Sequence, residues 1–140
     1  MTVALILASG VGARMGQDIP KQFLNVYDKP VIIYTLEAFQ KHPGIDAIQV
    51  VCLEGWHDIL KAYSKQFGIT KLEGVCSGGT DVHESIRNGI NAIKEHNHSD
   101  DDVVIIHDGV RPLVDTSVLS DVISKTIQYG NAVSSLPYNE

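Results

Sequence analysis

Three short stretches of this chain combine small residues with charges in a way that suits a phosphate-bearing ligand. The first is Leu7-Ala8-Ser9-Gly10-Val11-Gly12-Ala13-Arg14-Met15-Gly16, which continues into Ile19-Pro20-Lys21-Gln22. Ala8, Ser9, Gly10 and Gly12 are small enough to let backbone N–H groups come close to an anion. Arg14 adds a planar guanidinium fork and Lys21 a compact point charge, so the stretch outlines a polyphosphate site. Two better-known phosphate loops do not fit. The glycines at 10, 12 and 16 are spaced GxGxxxG, which puts Met15 where a dinucleotide fingerprint has its third glycine, and the next strand comes too late for a compact βαβ unit. A Walker A loop needs Lys and Ser or Thr directly after its last glycine, whereas Gly16 is followed by Gln17 and Asp18. Taken alone, the spacing also allows a glycine-rich turn with two surface cations, the less favoured of the two readings.

The second stretch, Val103-Val104-Ile105-Ile106-His107-Asp108-Gly109-Val110-Arg111-Pro112, puts a carboxylate just past an apolar run. Asp108 is placed to hold magnesium, because a hard cation bridging phosphate oxygens needs only one or two carboxylates besides waters. A local Asp108–Arg111 ion pair across a turn explains the same residues. His107 reads as structural, since strand alternation turns it away from the face used by Asp108. The third stretch runs from Cys76 to Gly89. Gly78-Gly79 permits close backbone approach to a base or ribose, and Ser85 on the following helix offers a hydroxyl. A plain turn with a Thr80 or Asp81 helix cap accounts for it equally. Arg14, Arg87 and Arg111 are the only arginines, and each falls in one of the three stretches, which suggests a bidentate phosphate pocket at one edge of the fold.

The elements that must position these residues follow from hydrophobic period. Short apolar runs alternate with helical patterns, the signature of βαβ units around a parallel sheet. Five strands are expected, Val3 to Leu7, Ile45 to Leu53, Leu72 to Val75, Val103 to Ile106 and Ala132 to Leu136, each apolar enough to be buried on both faces. Four helices are expected between and after them. They are Val31 to Gln40 (Ile32, Leu36 and Phe39 on one face), Trp56 to Phe67 (Ile59, Leu60, Tyr63 and Phe67), His83 to Glu95 (Ile86, Ile90 and Ile93) and Thr116 to Tyr129 (Leu119, Val122, Ile123 and Ile127). Glu95 to Asp102 reads as a solvated connection. In such a sheet ligands bind beyond the carboxyl ends of the strands, which is where the three stretches fall.

The expected fold is a Rossmann-like α/β/α sandwich of three layers with a mostly parallel sheet, formed by residues 1–140 as one nucleotide-binding domain and incomplete at its C-terminal end, where no closing helix follows the fifth strand. A share of 44% apolar residues supports a real core, and a net charge of -6 disfavours nonspecific binding to nucleic acid or an anionic membrane. No apolar run approaches the roughly 18 residues of a membrane span, and the N-terminus lacks the cationic stretch of a signal peptide. Cys52 and Cys76 read as two reduced core thiols, and the expected location is the cytoplasm.

Together the three stretches resemble the cytidylyltransferases that act on methylerythritol 4-phosphate in isoprenoid synthesis, or on ribitol 5-phosphate for teichoic acid or capsule. The resemblance is carried by Ala8 to Gly16 with Pro20-Lys21-Gln22-Phe23, by Gly78-Gly79 with Ser85-Ile86-Arg87-Asn88-Gly89, and by His107 to Pro112. It implies transfer of CMP from CTP with Mg2+ as cofactor. It further implies that Arg14 and Lys21 grip the triphosphate, that Asp108 holds the metal, and that Ala8, Ser9, Gly10, Gly12, Gly79, Thr80, Ser85, Gly109 and Arg111 surround the cytidine. Thr80 stands where the family often has an acidic residue, and Asp108-Gly109-Val110-Arg111 varies a motif that more often contains alanine. Family members continue beyond this length, into further acceptor ligands and a dimer-forming arm, so the resemblance implies a longer chain whose full-length form is able to make a homodimer, while the sequence leaves the oligomeric state open. Two other readings are a CTP-binding fragment impaired in catalysis and a sugar nucleotidyltransferase that uses another base.

Overall fold

The computed structural model of the protein describes residues 1–10, 19–96 and 98–136. In chain order the elements are β1 (Thr2–Ala8), a 3-10 turn (Lys21–Phe23), β2 (Asn25–Val26), β3 (Lys29–Pro30), α1 (Val31–Lys41), β4 (Ala47–Cys52), α2 (His57–Gln66), β5 (Leu72–Ser77), α3 (Val82–Lys94), β6 (Val103–Asp108) and α4 (Thr116–Tyr129). The main sheet has the order β5-β4-β1-β6 with every neighbouring pair parallel. The chain steps outward from β1 to β4 and β5, then crosses back to β6 on the other side of β1. That reversal puts α3 on the opposite face from α1, α2 and α4 and makes the end of β1 the topological switch point.

The alternation of side chains along β1 separates two cores. Ala4, Ile6 and Ala8 pack with Ile32, Leu36 and Phe39 of α1, Leu60 of α2 and Leu119 of α4. Val3 and Leu5 pack with Val51 and with Ile93 of α3, flanked by Ile86 and Ile90. The three-layer α/β arrangement expected from the sequence is therefore the one observed. Helix ends carry local signals: Asp81 and Asp115 cap α3 and α4 by accepting from backbone N–H groups of Glu84 and Ser117, and α4 stops at Gly130, whose φ of 94° suits a residue without a Cβ.

Four details correct the sequence reading. The expected fifth strand, Ala132 to Leu136, is unpaired coil with Val133 and Leu136 almost fully exposed. Without apolar cover on either face, a strand there would not recover the entropy of ordering it. Burial on both faces holds for β1 and β4 but not for β5 or β6, which are edge strands, and Ile106 of β6 is 47% exposed. The β2–β3 hairpin was not expected; its turn puts Tyr27 (φ 51°) and Asp28 (φ 63°) in the left-handed region, the I′ geometry usually signalled by Asn-Gly or Asp-Gly. Finally, the connection before β6 is tied down. His98, with a side chain only 5% exposed, bridges Glu73 at 2.7 Å and Asp102 at 3.3 Å, and the Met1 amino group reaches Asp102 at 3.1 Å.

Candidate functional site

The loop after β1 is held from behind. Gln22 is buried, and its Nε2 donates to the carbonyls of Ala8 at 2.7 Å and Gly10 at 3.0 Å. The Leu53 N–H donates to the same Ala8 carbonyl at 3.3 Å. Gln22 belongs to the 3-10 turn that carries Lys21, and Phe23 of that turn stacks on Trp56 with ring centroids 4.8 Å apart. Lys21 is thus an exposed cation on a turn whose neighbours on the C-terminal side are buried.

The Gly78-Gly79 stretch leans against that loop. A Cβ on Gly78 would lie 2.5 Å from Ser9, and one on Gly79 would overlap the Glu84 side chain, so both glycines are demanded by close approach. Ser85 Oγ accepts from the Gly79 N–H at 3.0 Å and lies 3.5 Å from Ser9 Oγ, which links the two walls. Of the two caps considered, Asp81 is the one formed, accepting from Glu84 N at 2.8 Å. Glu84 in turn accepts from the N–H of Thr80, the residue before the cap, at 3.1 Å and from Thr80 Oγ1 at 2.7 Å. The Thr80 hydroxyl and amide hold the Glu84 carboxyl below its ordinary range.

The third wall is the end of β6. Asp108 accepts from the Val110 N–H at 3.0 Å and lies 3.7 Å from Arg111 Nε, with side chains 48% and 78% exposed respectively. The ion-pair reading of this segment is therefore realised, but loosely, as an exposed pair should be. His107 donates from Nε2 to the Arg111 carbonyl at 2.9 Å and packs edge-on against Phe39, so it is structural as expected. Gly109 presses against β1, where a Cβ would stand 3.0 Å from Ala8 Cβ, while its N–H donates to the Leu7 carbonyl at 2.8 Å and its carbonyl accepts from Thr35 Oγ1 at 2.8 Å.

These walls enclose an open cleft of about 670 Å³ beyond the carboxyl ends of β1, β5 and β6. Ala8, Ser9, Gly10, Lys21, Gly79, Thr80, Ser85 and Asp108 all line it. Gly109 and Arg111 do not: the first is a backbone contact behind the cleft and the second lies open to solvent beside Asp108. Arg14 and Gly12 lie outside the described residues. Arg87 is exposed on α3 and also stands off the cleft, so among the described residues the cation that lines it is Lys21. Both cysteines are free, and burial pushes the Cys52 thiol up to about 12, in keeping with inert core thiols. The residue to which the sequence assigns no role of its own is Gln22, although it falls within the Pro20-Lys21-Gln22-Phe23 motif; a further signal is its polar side chain between Lys21 and the apolar Phe23-Leu24 pair.

With this geometry in place, comparison with known proteins is decisive. The model of the family described as IspD, 2-C-methyl-D-erythritol 4-phosphate cytidylyltransferase, matches residues 2–140. The chain belongs to that family. Among relatives of this cytidylyltransferase family, a ribitol-5-phosphate cytidylyltransferase of Lacticaseibacillus paracasei is 56% identical over 100% of this chain and 59% of its own length. A 2-C-methyl-D-erythritol 4-phosphate cytidylyltransferase of Geotalea uraniireducens is 39% identical over 96% of this chain and 57% of its own. A crystal structure of 4-diphosphocytidyl-2C-methyl-D-erythritol synthase superposes with a TM-score of 0.71 at 25% identity, covering 94% of this chain and 55% of that one. The chain thus spans somewhat over half the length of these members of the family. No helix among the described residues is long and apolar enough to cross a membrane.

Proposed function

We propose that this chain supplies the CTP site of a cytidylyltransferase that moves CMP onto a small polyol phosphate and releases pyrophosphate. The observation that carries this reading is the meeting of Lys21, the Ser9-Gly10 backbone, Ser85 and Asp108 around one cleft at the switch point of the sheet. In such a reaction the acceptor's phosphate oxygen, anionic at neutral pH, attacks the α-phosphorus of CTP. The bond to the β-phosphate breaks and pyrophosphate leaves with the electron pair. No general base is required, so catalysis rests on positioning and charge neutralisation. Lys21 is assigned to the triphosphate together with Arg14, and loss of one such contact costs about 2.7–4 kcal/mol of barrier.

Asp108 fits Mg2+. It presents a half-exposed carboxylate at the cleft, and Mg2+ is usually held by one or two carboxylates with phosphate oxygens and waters rather than by an all-protein cage. Bound there, Mg2+ would neutralise charge on the phosphates. Base choice is assigned to the Thr80 wall. The Thr80 hydroxyl hydrogen is committed to Glu84, which leaves oxygen lone pairs to accept. An acceptor there suits the amino group of cytosine and opposes the carbonyl that replaces it in uracil. The higher identity to the ribitol-phosphate relative favours ribitol 5-phosphate as acceptor over methylerythritol 4-phosphate.

The test is calorimetric titration of the chain with CTP and with UTP in Mg2+, followed by pyrophosphate release with each polyol phosphate. Preference for CTP and release with ribitol 5-phosphate are expected. Equal binding of UTP and CTP would point to a nucleotidyltransferase of different base choice. CTP binding without turnover would favour a binding fragment, a reading motivated by the 59% span of the Lacticaseibacillus relative.

A further inference from the structure

Resting on that reading of the cleft, we infer that Gln22 is a positioning residue of the triphosphate site, acting through Lys21 and the Ser9-Gly10 backbone rather than on the reacting atoms. Gln22 is 2% exposed, and a side chain amide so deeply placed must find partners. Its nitrogen carries two hydrogens, and the structure offers two acceptors, the carbonyls of Ala8 and Gly10. Ala8 ends β1 and Gly10 lies in the loop that follows, fourteen and twelve residues earlier in the chain. One side chain thus bolts the turn that carries Lys21 to the loop whose backbone faces the ligand.

The bolt also sets backbone direction. In a planar trans peptide the C=O and the following N–H point opposite ways. Drawing the Ala8 carbonyl toward Gln22 and Leu53 therefore turns the Ser9 N–H away from them. The short turn leaves little slack: the Phe23 N–H donates to the Pro20 carbonyl at 2.9 Å and the Leu24 N–H to the Lys21 carbonyl at 3.2 Å. Lys21 and Gln22 are consecutive on it, the first exposed and the second buried, and both line the cleft. Only glutamine meets the need at this length. A buried lysine or arginine would bring an uncompensated charge, asparagine is one methylene short, and glutamate presents acceptors to acceptors.

Gln22→Met keeps the length and removes both donors. Gln22→Glu keeps the volume, and its carboxyl can donate one hydrogen bond only when protonated. Two readouts are taken on the 140-residue chain: amide hydrogen exchange without ligand at Phe23, Leu24 and Leu53, whose N–H groups are bonded to the Pro20, Lys21 and Ala8 carbonyls, and CTP affinity in Mg2+. For Gln22→Met the expectation is at least tenfold faster exchange confined to those three positions, at least tenfold weaker CTP binding, and little additional loss when Lys21→Met is combined with it. For Gln22→Glu the loss relative to the unsubstituted chain should shrink from pH 7.5 to pH 5.5. Unchanged exchange in a folded variant overturns the inference, as do losses at 21 and 22 that simply multiply. Failure of both variants to fold overturns it too, since Gln22 would then serve the fold and not the site. Should the unsubstituted chain bind no CTP, the proposed function falls while the exchange measurement still judges Gln22.

Discussion

The β1 wall and the β6 wall of the cleft carry charges of opposite sign and hold them in different ways. On the β1 side, Lys21 rides on a turn anchored by buried Gln22 and by Phe23 stacked on Trp56, so its position is inherited from the core. On the β6 side, Asp108 ends an edge strand, shares its carboxylate with the Val110 N–H and an exposed Arg111, and is followed by Leu113 at 98% exposure. A cation pinned by close packing suits a fixed contact to phosphate, because close-packed neighbours resist displacement. A carboxylate left partly open to solvent suits a hydrated cation that arrives with its nucleotide.

The largest effect that tests this contrast is on stability. Phe23→Ala should cost about 3–5 kcal/mol, because it empties a buried site, and should weaken CTP binding along with it. Leu113→Ala, on the exposed segment after β6, should stay within about 0.5 kcal/mol. Chemical denaturation of the two variants checks the pair, and equal losses would erase the distinction between the walls. Next in size, Asp108→Asn should leave the denaturation midpoint near its starting value while abolishing the gain in CTP affinity that Mg2+ gives; a gain that persists would move the metal elsewhere.

The smallest effect comes from the opposite end of the sheet and serves as a control. The Glu73 carboxylate, with Asp102, raises the His98 pKa above its ordinary value. A raised folded pKa means stability that is fully present below the unfolded value near 6.5 and lost as pH rises through the folded one. The Asp102 carboxyl is depressed, chiefly by the Ser99 N–H, so its contribution is present above the ordinary carboxylate range and lost in acid. His98→Gln should flatten the pH dependence of stability above about pH 6.5 and leave CTP affinity unchanged. Altered CTP affinity would mean that the two ends of the sheet are coupled.

Much of this contrast was legible in the sequence. The unbroken apolar run of β1 and the helical spacing of Ile32, Leu36 and Phe39 announce the core, and the position of Asp108 after such a run announces the strand end that borders the cleft. Less legible was what depends on three-dimensional pairing. Gln22 reveals its task only when carbonyls far back in the chain fold over it. Of the arginines that each mark one of the three stretches, Arg87 is exposed on α3 and Arg111 lies past the end of an edge strand, so neither of these two lines the cleft. The Ala132 to Leu136 run has strand composition without a partner, and composition alone cannot supply one.

The affinity of the 140-residue chain for CTP in Mg2+, compared with that of Lys21→Ala, tests most directly the assignment of Lys21 to the triphosphate. At least tenfold weaker binding by the variant, about 1.4 kcal/mol, with an unchanged thermal midpoint is the predicted result. Equal affinity in the two proteins would place the triphosphate elsewhere and contradict it.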